Sequence, residues 1–127
     1  MRFMMFMYPG ISEEEWAPSA EDVAAMSRYN DELQKAGMLL SLDGLHPPGE
    51  GARVHFSDGA ATVTDGPFAE AKEVVGGYWL IQARSKAEAV EWAKRCPGEN
   101  CMIEVRRVFE REDFPQEVQD AYERGEA

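Results

Sequence analysis

The sequence predicts an α+β domain in which two helices cover one face of an antiparallel sheet. Three observations predict it. Residues 2–8, RFMMFMY, are apolar on both alternating sides and end at Pro9-Gly10, as a strand buried on both faces does. Two stretches of helical spacing each open on a serine with an acid three residues on, Ser19/Asp22 and Ser85/Glu88. Asp58-Gly59 lies between two alternating runs, a strong short-range hairpin signal.

Taken in order, the first strand places Phe3, Met5 and Met7 on one side and Met4, Phe6 and Tyr8 on the other. Pro18-Ser19 and Asp22 then open a helix over residues 20–36. Val23, Met26, Tyr29 or Asn30, and Leu33 form its inner stripe, and Gly37 ends it. Residues 38–45 read as a second strand closed by His46-Pro47-Pro48-Gly49, and residues 52–65 as a hairpin. Residues 74–83 are the most apolar strand, in which Gly76-Gly77 marks a bulge or the close approach of a backbone or ligand. A full capping box at Ser85 and Glu88 heads a second helix with Ala87, Val90 and Ala93 inward, ending before Pro97-Gly98.

The last strand spans residues 101–109. Ile103 and Val105 face the helices, and Glu104 and Arg106 the opposite side. A charged extension follows over residues 110–127, with a short helix around 116–122. The order β-α-β, hairpin, β-α-β is that of a ferredoxin-like split βαβ fold carrying an inserted hairpin. Two helices cannot cover both faces of its sheet. A second copy packed sheet to sheet is the simplest cover for the other, so a homodimer is expected.

Composition bounds the function. At 127 residues and 44% hydrophobic content the chain is one globular domain. Acids outnumber bases 24 to 13, for a net charge of −11, and no Lys/Arg run exceeds a pair such as Arg106-Arg107. Direct nucleic-acid binding, which needs a basic face to displace counterions, is not expected. Cys96 and Cys101 lack zinc-ligand spacing and read as reduced structural thiols. Without a phosphate loop, GxSxG elbow or HExxH pattern, neither metal nor organic cofactor is expected. The start MRFMMFMYPG lacks the features of a signal peptide, and no apolar run reaches about 20 residues, so a cytoplasmic protein away from membranes is expected.

Residues 64–73, TDGPFAEAKE, are where the sequence suggests chemistry. Pro67 fixes its own φ and restricts Gly66, so Asp65 leaves its strand into a stiff bend. Such a bend suits a positioned proton-transfer carboxylate. It equally suits a cap for a short helical turn over residues 67–73, and spacing alone favours the cap. Phe68 would seat the segment. Glu70 and Glu73, three apart with Lys72 between them, either form a carboxylate pair at a cleft, with Lys72 beside the ligand, or belong to a solvated face in which Lys72 pairs with a neighbouring acid. His46, an imidazole held among prolines, is either a second proton carrier or a turn residue, whereas His55 reads as a cross-strand surface residue. Tyr78, just beyond the two glycines, joins Glu104 and Arg106 as a ligand-facing candidate, because charge on that sheet face needs pairing or a polar cavity.

TDGPFAEAKEVVGGYW, with GLHPPGEGARV upstream and IEVRRVFE downstream, resembles the YCII-related family. It is most similar to the branch named for the residues that stand here as Asp65, Gly66, Pro67 and Phe68. The resemblance runs from the first strand to about Phe114 and implies a dimeric α+β barrel. It also implies a small-molecule site in which a His–Asp pair moves protons without a cofactor, as in distant relatives acting on ring-cleavage or halogenated aromatic intermediates. Asp65 matches the family aspartate. The histidine that family members carry in the first strand is absent here, which leaves His46 as the substitute. Members of this branch are often encoded beside alternative sigma factors, which implies the alternative of an acidic regulatory protein with a sigma-factor partner.

Overall fold

A computed structural model of the chain describes residues 1–11, 15–66 and 74–125. Its order is β1 (Arg2–Tyr8), α1 (Ala20–Lys35), β2 (Leu39–Gly44), β3 (Ala52–Ser57), β4 (Ala60–Asp65), β5 (Gly77–Gln82), α2 (Lys86–Ala93), β6 (Met102–Arg107) and α3 (Gln116–Glu123). Four strands pair antiparallel in the order β2-β5-β1-β6, the ferredoxin-like arrangement. The hairpin β3–β4 forms a separate two-stranded sheet turned at Asp58-Gly59, both with positive φ.

The core lies between the sheet and α1 and α2. Phe3 and Met5 of β1 and Trp79 and Ile81 of β5 face Tyr29 and Leu33 of α1 and Ala89 of α2, all buried. The choice between Tyr29 and Asn30 resolves as both. The Tyr29 ring meets Trp79 edge-on at 5.7 Å and its hydroxyl donates to the Trp92 carbonyl at 2.8 Å. The Trp79 indole N–H donates to Asn30 Oδ1 at 2.8 Å. These bonds satisfy polar groups that would be costly left unpaired there. Burial also pushes the Tyr29 phenol well above its ordinary pKa. Val23 belongs to the predicted stripe but lies at the helix's outer end and stays exposed.

The caps fall as the sequence suggests, with one difference. Ser19 Oγ accepts the Asp22 N–H at 3.1 Å and Asp22 reaches back to the Ser19 N–H, a complete box despite the shorter acid. At α2, Ser85 Oγ accepts the Glu88 N–H, but the Glu88 carboxylate turns to the Arg84 N–H and guanidinium instead of Ser85. The predicted full box is therefore half a box, because Arg84 offers the carboxylate both its backbone N–H and its guanidinium. Ala89 is the buried alanine of this helix, and Ala87, expected inward, is exposed.

Strands β2, β5 and β6 are each shorter than the spans 38–45, 74–83 and 101–109 expected for them. Val74, Val75 and Gly76 lead into β5 without joining it. The two glycines mark close backbone approaches. A β-carbon at Gly77 would lie 3.0 Å from the Asp43 carbonyl oxygen, and one at Gly76 2.9 Å from the Pro9 ring. The sheet's irregularity falls instead in β2, between Leu39 and Ser41.

After β6 the chain returns through Phe109 and Phe114, stacked at 4.8 Å, to the short helix expected near residue 116, where Tyr122 meets Phe114. Arg2 binds Glu110 at 2.8 Å, which holds the Glu110 carboxyl below the usual carboxylate range. Among the described residues no helix is long and apolar enough to cross a membrane.

Candidate functional site

Strand alternation sends Met4, Phe6 and Tyr8 to the face away from the helices. The register then assembles two rows across that face. Asp43, Tyr78, Phe6 and Glu104 lie side by side in one, and Ser41, Leu80, Met4 and Arg106 in the next. With neighbouring strands about 4.8 Å apart, Asp43 and Glu104 stand at the ends of a row roughly 14 Å long.

Each terminal carboxylate accepts a phenol. The Tyr8 hydroxyl donates to Glu104 Oε1 at 2.9 Å, and the Tyr78 hydroxyl to Asp43 Oδ2 at 2.8 Å. The bond to Asp43 is the main cause that raises the Tyr78 pKa, since losing that proton would leave two anions in contact. Between these pairs lies an apolar floor of Phe6, Met4 and Leu80, all partly buried. With both phenol protons engaged, the rim offers mainly acceptor oxygens, and Arg106 supplies the cation. Such a face combines an apolar floor with acceptor oxygens at both ends and one cation beside them.

The same end of the sheet carries a second feature. Three residues beyond Asp43 the chain reaches His46, and three residues before Tyr78 it leaves Val75. Both line a groove of about 450 Å³ whose wall includes Pro48, Glu50 and Arg53. His46 Nδ1 lies 2.7 Å from Glu50 Oε2, an exposed pair. Leu45 is fixed from both sides, its N–H donating to the Gly76 carbonyl at 2.9 Å and its carbonyl accepting the Trp16 indole N–H at 3.1 Å.

Asp65 closes β4 opposite Ala52, and the next residue anchors the strand end to this groove. The Gly66 N–H donates to the Gly51 carbonyl at 3.0 Å, and Gly66 lies so close to Pro48 that a β-carbon would be 1.7 Å from its carbonyl oxygen. The Asp65 side chain is exposed and is not among the groove's lining residues.

The predicted residues thus divide. Tyr78, Glu104 and Arg106 share the sheet face, and His46, Asp65 and Gly66 gather at its end. His46 meets Glu50, a partner the sequence reading did not name. Pro67, Phe68, Glu70, Lys72 and Glu73 lie outside the described residues. Asp43 and Tyr8 are the additions. Tyr8 already stood on the far side of β1 in the alternation, but its bond to Glu104 depends on β6 pairing with β1, which no local pattern encodes. Among the described residues no group of three or more His, Cys, Asp or Glu side chains could hold a metal ion.

Comparison with known proteins adds two findings. The model of the YCII-related domain matches residues 1–112. An uncharacterised protein of Rhizobium meliloti (strain 1021) is 35% identical over 89 residues, which cover 70% of this chain and 69% of that protein.

Proposed function

The chain belongs to the YCII-related family, and from that premise we propose that it is a small-molecule-binding protein or cofactor-independent enzyme of the lyase or isomerase type. Its pocket lies on the sheet face opposite the helices and is closed by a second copy of the chain. One observation carries this reading. A sheet face meant only as an apolar seam would not hold Tyr8–Glu104 and Tyr78–Asp43 pairs on either side of Phe6.

The family resemblance suggests the substrate class, a small carbonyl acid or an enol lactone, and the acceptor oxygens and Arg106 of the rim are groups that can hold its hydroxyl and carbonyl oxygens. In the closed dimer the exposed Asp65, at the end of β4 beside the His46 groove, takes a proton from the carbon beside the carbonyl and His46 shares in its return, so electrons are rearranged within the substrate and none leave it. Asp65→Asn keeps the shape and any capping ability of the residue and removes the base. The melting temperature should therefore change little, while turnover of a panel of such acids and lactones falls about a hundredfold. Unchanged turnover in the Asn variant would exclude Asp65 as the base.

An acidic regulatory protein acting with an alternative sigma factor is the second reading. The hairpin favours it, because Phe56 is 82% exposed and shares an apolar face with exposed Val54 and Val63. Under this reading co-sedimentation with the sigma factor is lost in Phe56→Ser, and under the first reading turnover in that variant is untouched.

A further inference from the structure

On the helix side, between α2 and β6, lies a groove of about 520 Å³ that the pocket above does not use. Its floor is apolar, Val90 and Ala93 against Ile103 and Val105. Two cysteines, Cys96 and Cys101, and two exposed lysines, Lys86 and Lys94, share the lining, and the Lys94 ammonium is bound to Glu91 Oε1 at 3.1 Å. Both thiols are free and partly buried. Two lysines beside two cysteines in one groove stand out on a chain of net charge −11.

The connection between the cysteines folds back on itself. The Gly98 N–H donates to the Cys96 carbonyl at 2.9 Å, and Asn100 takes a left-handed φ of 55°. Cys101 Sγ then lies directly over Gly98, where a β-carbon would stand 2.4 Å from the sulfur. Glycine at 98 is what lets the second thiol return over the turn that the first one begins.

We propose that this groove is a thiol-modification site for an anionic, low-molecular-weight disulfide of the glutathione disulfide class, whose end product is an internal Cys96–Cys101 disulfide. Lys86, and Lys94 in exchange for its Glu91 partner, attract the carboxylates of the reagent. The Cys101 thiolate attacks one sulfur of the reagent, the S–S bond breaks, and one thiolate leaves and takes up a proton. Cys96 gives up its proton and attacks the Cys101 sulfur of the mixed disulfide, releasing the second thiol. Two protein thiols are oxidised and one disulfide is reduced to two thiols. Cys96 is the resolving partner, because burial, aided by the nearby Cys101 charge, pushes its thiol up to about 11. The new bond ties the end of α2 to the start of β6 and closes one end of the groove.

The test is intact-protein mass spectrometry of the native chain exposed to glutathione disulfide and, in parallel, to the uncharged bis(2-hydroxyethyl) disulfide. Wild type should lose two hydrogen atoms and keep no adduct. Cys96→Ser should accumulate one glutathione adduct, mapped to Cys101. The pair Lys86→Glu and Lys94→Glu should slow the anionic reagent roughly tenfold and leave the neutral one unaffected. The proposal is overturned if wild type keeps the adduct without closing, if either thiol reacts only after unfolding, or if the lysine variant treats both reagents alike. The wild-type arm needs no substitution, so a misfolded variant cannot mask the result.

Discussion

Phe6→Glu should convert a dimer into a folded monomer. Phe6 lies on the sheet face away from the helices, between Tyr78 and Glu104, and is partly exposed in a single chain, so a carboxylate there can remain in water. In a sheet-to-sheet dimer the same carboxylate is buried beside Glu104 without a cation of its own. A cost of about 4 kcal/mol for that burial weakens association roughly a thousandfold. Met5→Glu is the control, because Met5 is fully buried against the helices. That variant should unfold, whereas Phe6→Glu keeps its far-UV spectrum and halves its mass by light scattering. A Phe6→Glu chain that still dimerises would remove the sheet face as the interface.

The second large effect is expected at Gly66. A β-carbon there would lie 1.7 Å from the Pro48 carbonyl oxygen and 2.5 Å from its carbon, both backbone atoms that no rotamer change can move. In Gly66→Ala the end of β4 must therefore leave the loop, losing the Gly66 N–H bond to Gly51. Overpacking of this kind costs about 3 kcal/mol. The hairpin carries that cost, since every residue of β3 and β4 is exposed and the core lies elsewhere. Amide hydrogen exchange should thus rise by roughly two orders of magnitude in residues 51–65 with the core amides unchanged. Unaltered protection across the hairpin would mean that the segment is not anchored as described.

These two positions also show what the sequence could and could not display. The two-sided apolar run of β1 already implied that helices alone cannot cover the sheet, and strand alternation alone put Phe6, Glu104 and Arg106 on the uncovered side. Ser19 with Asp22 was readable because a cap is made within four residues. Partners set by the sheet order were not readable. The Tyr8–Glu104 bond spans 96 residues and Tyr78–Asp43 spans 35, so both exist only once β6 and β2 have taken their places beside β1 and β5. The reversal at Glu88 has the same origin on a smaller scale, because Arg84 competes from outside the four-residue pattern. The Gly-Pro bend after Asp65 displays stiffness in the sequence. The fit of Gly66 onto Pro48 explains why glycine stands there, and it needed the HPPG loop to be placed first.

The central claim is that a second copy covers the face bearing Met4, Phe6 and Leu80. Hydroxyl-radical footprinting across a concentration series tests it most directly, with exposed Met1 as the internal reference. Oxidation of Met4 relative to Met1 should fall as the protein is concentrated through its dimerisation range and recover on dilution. A Met4 to Met1 ratio independent of concentration, in a sample that sediments at the 14.3 kDa of one chain throughout, would contradict it.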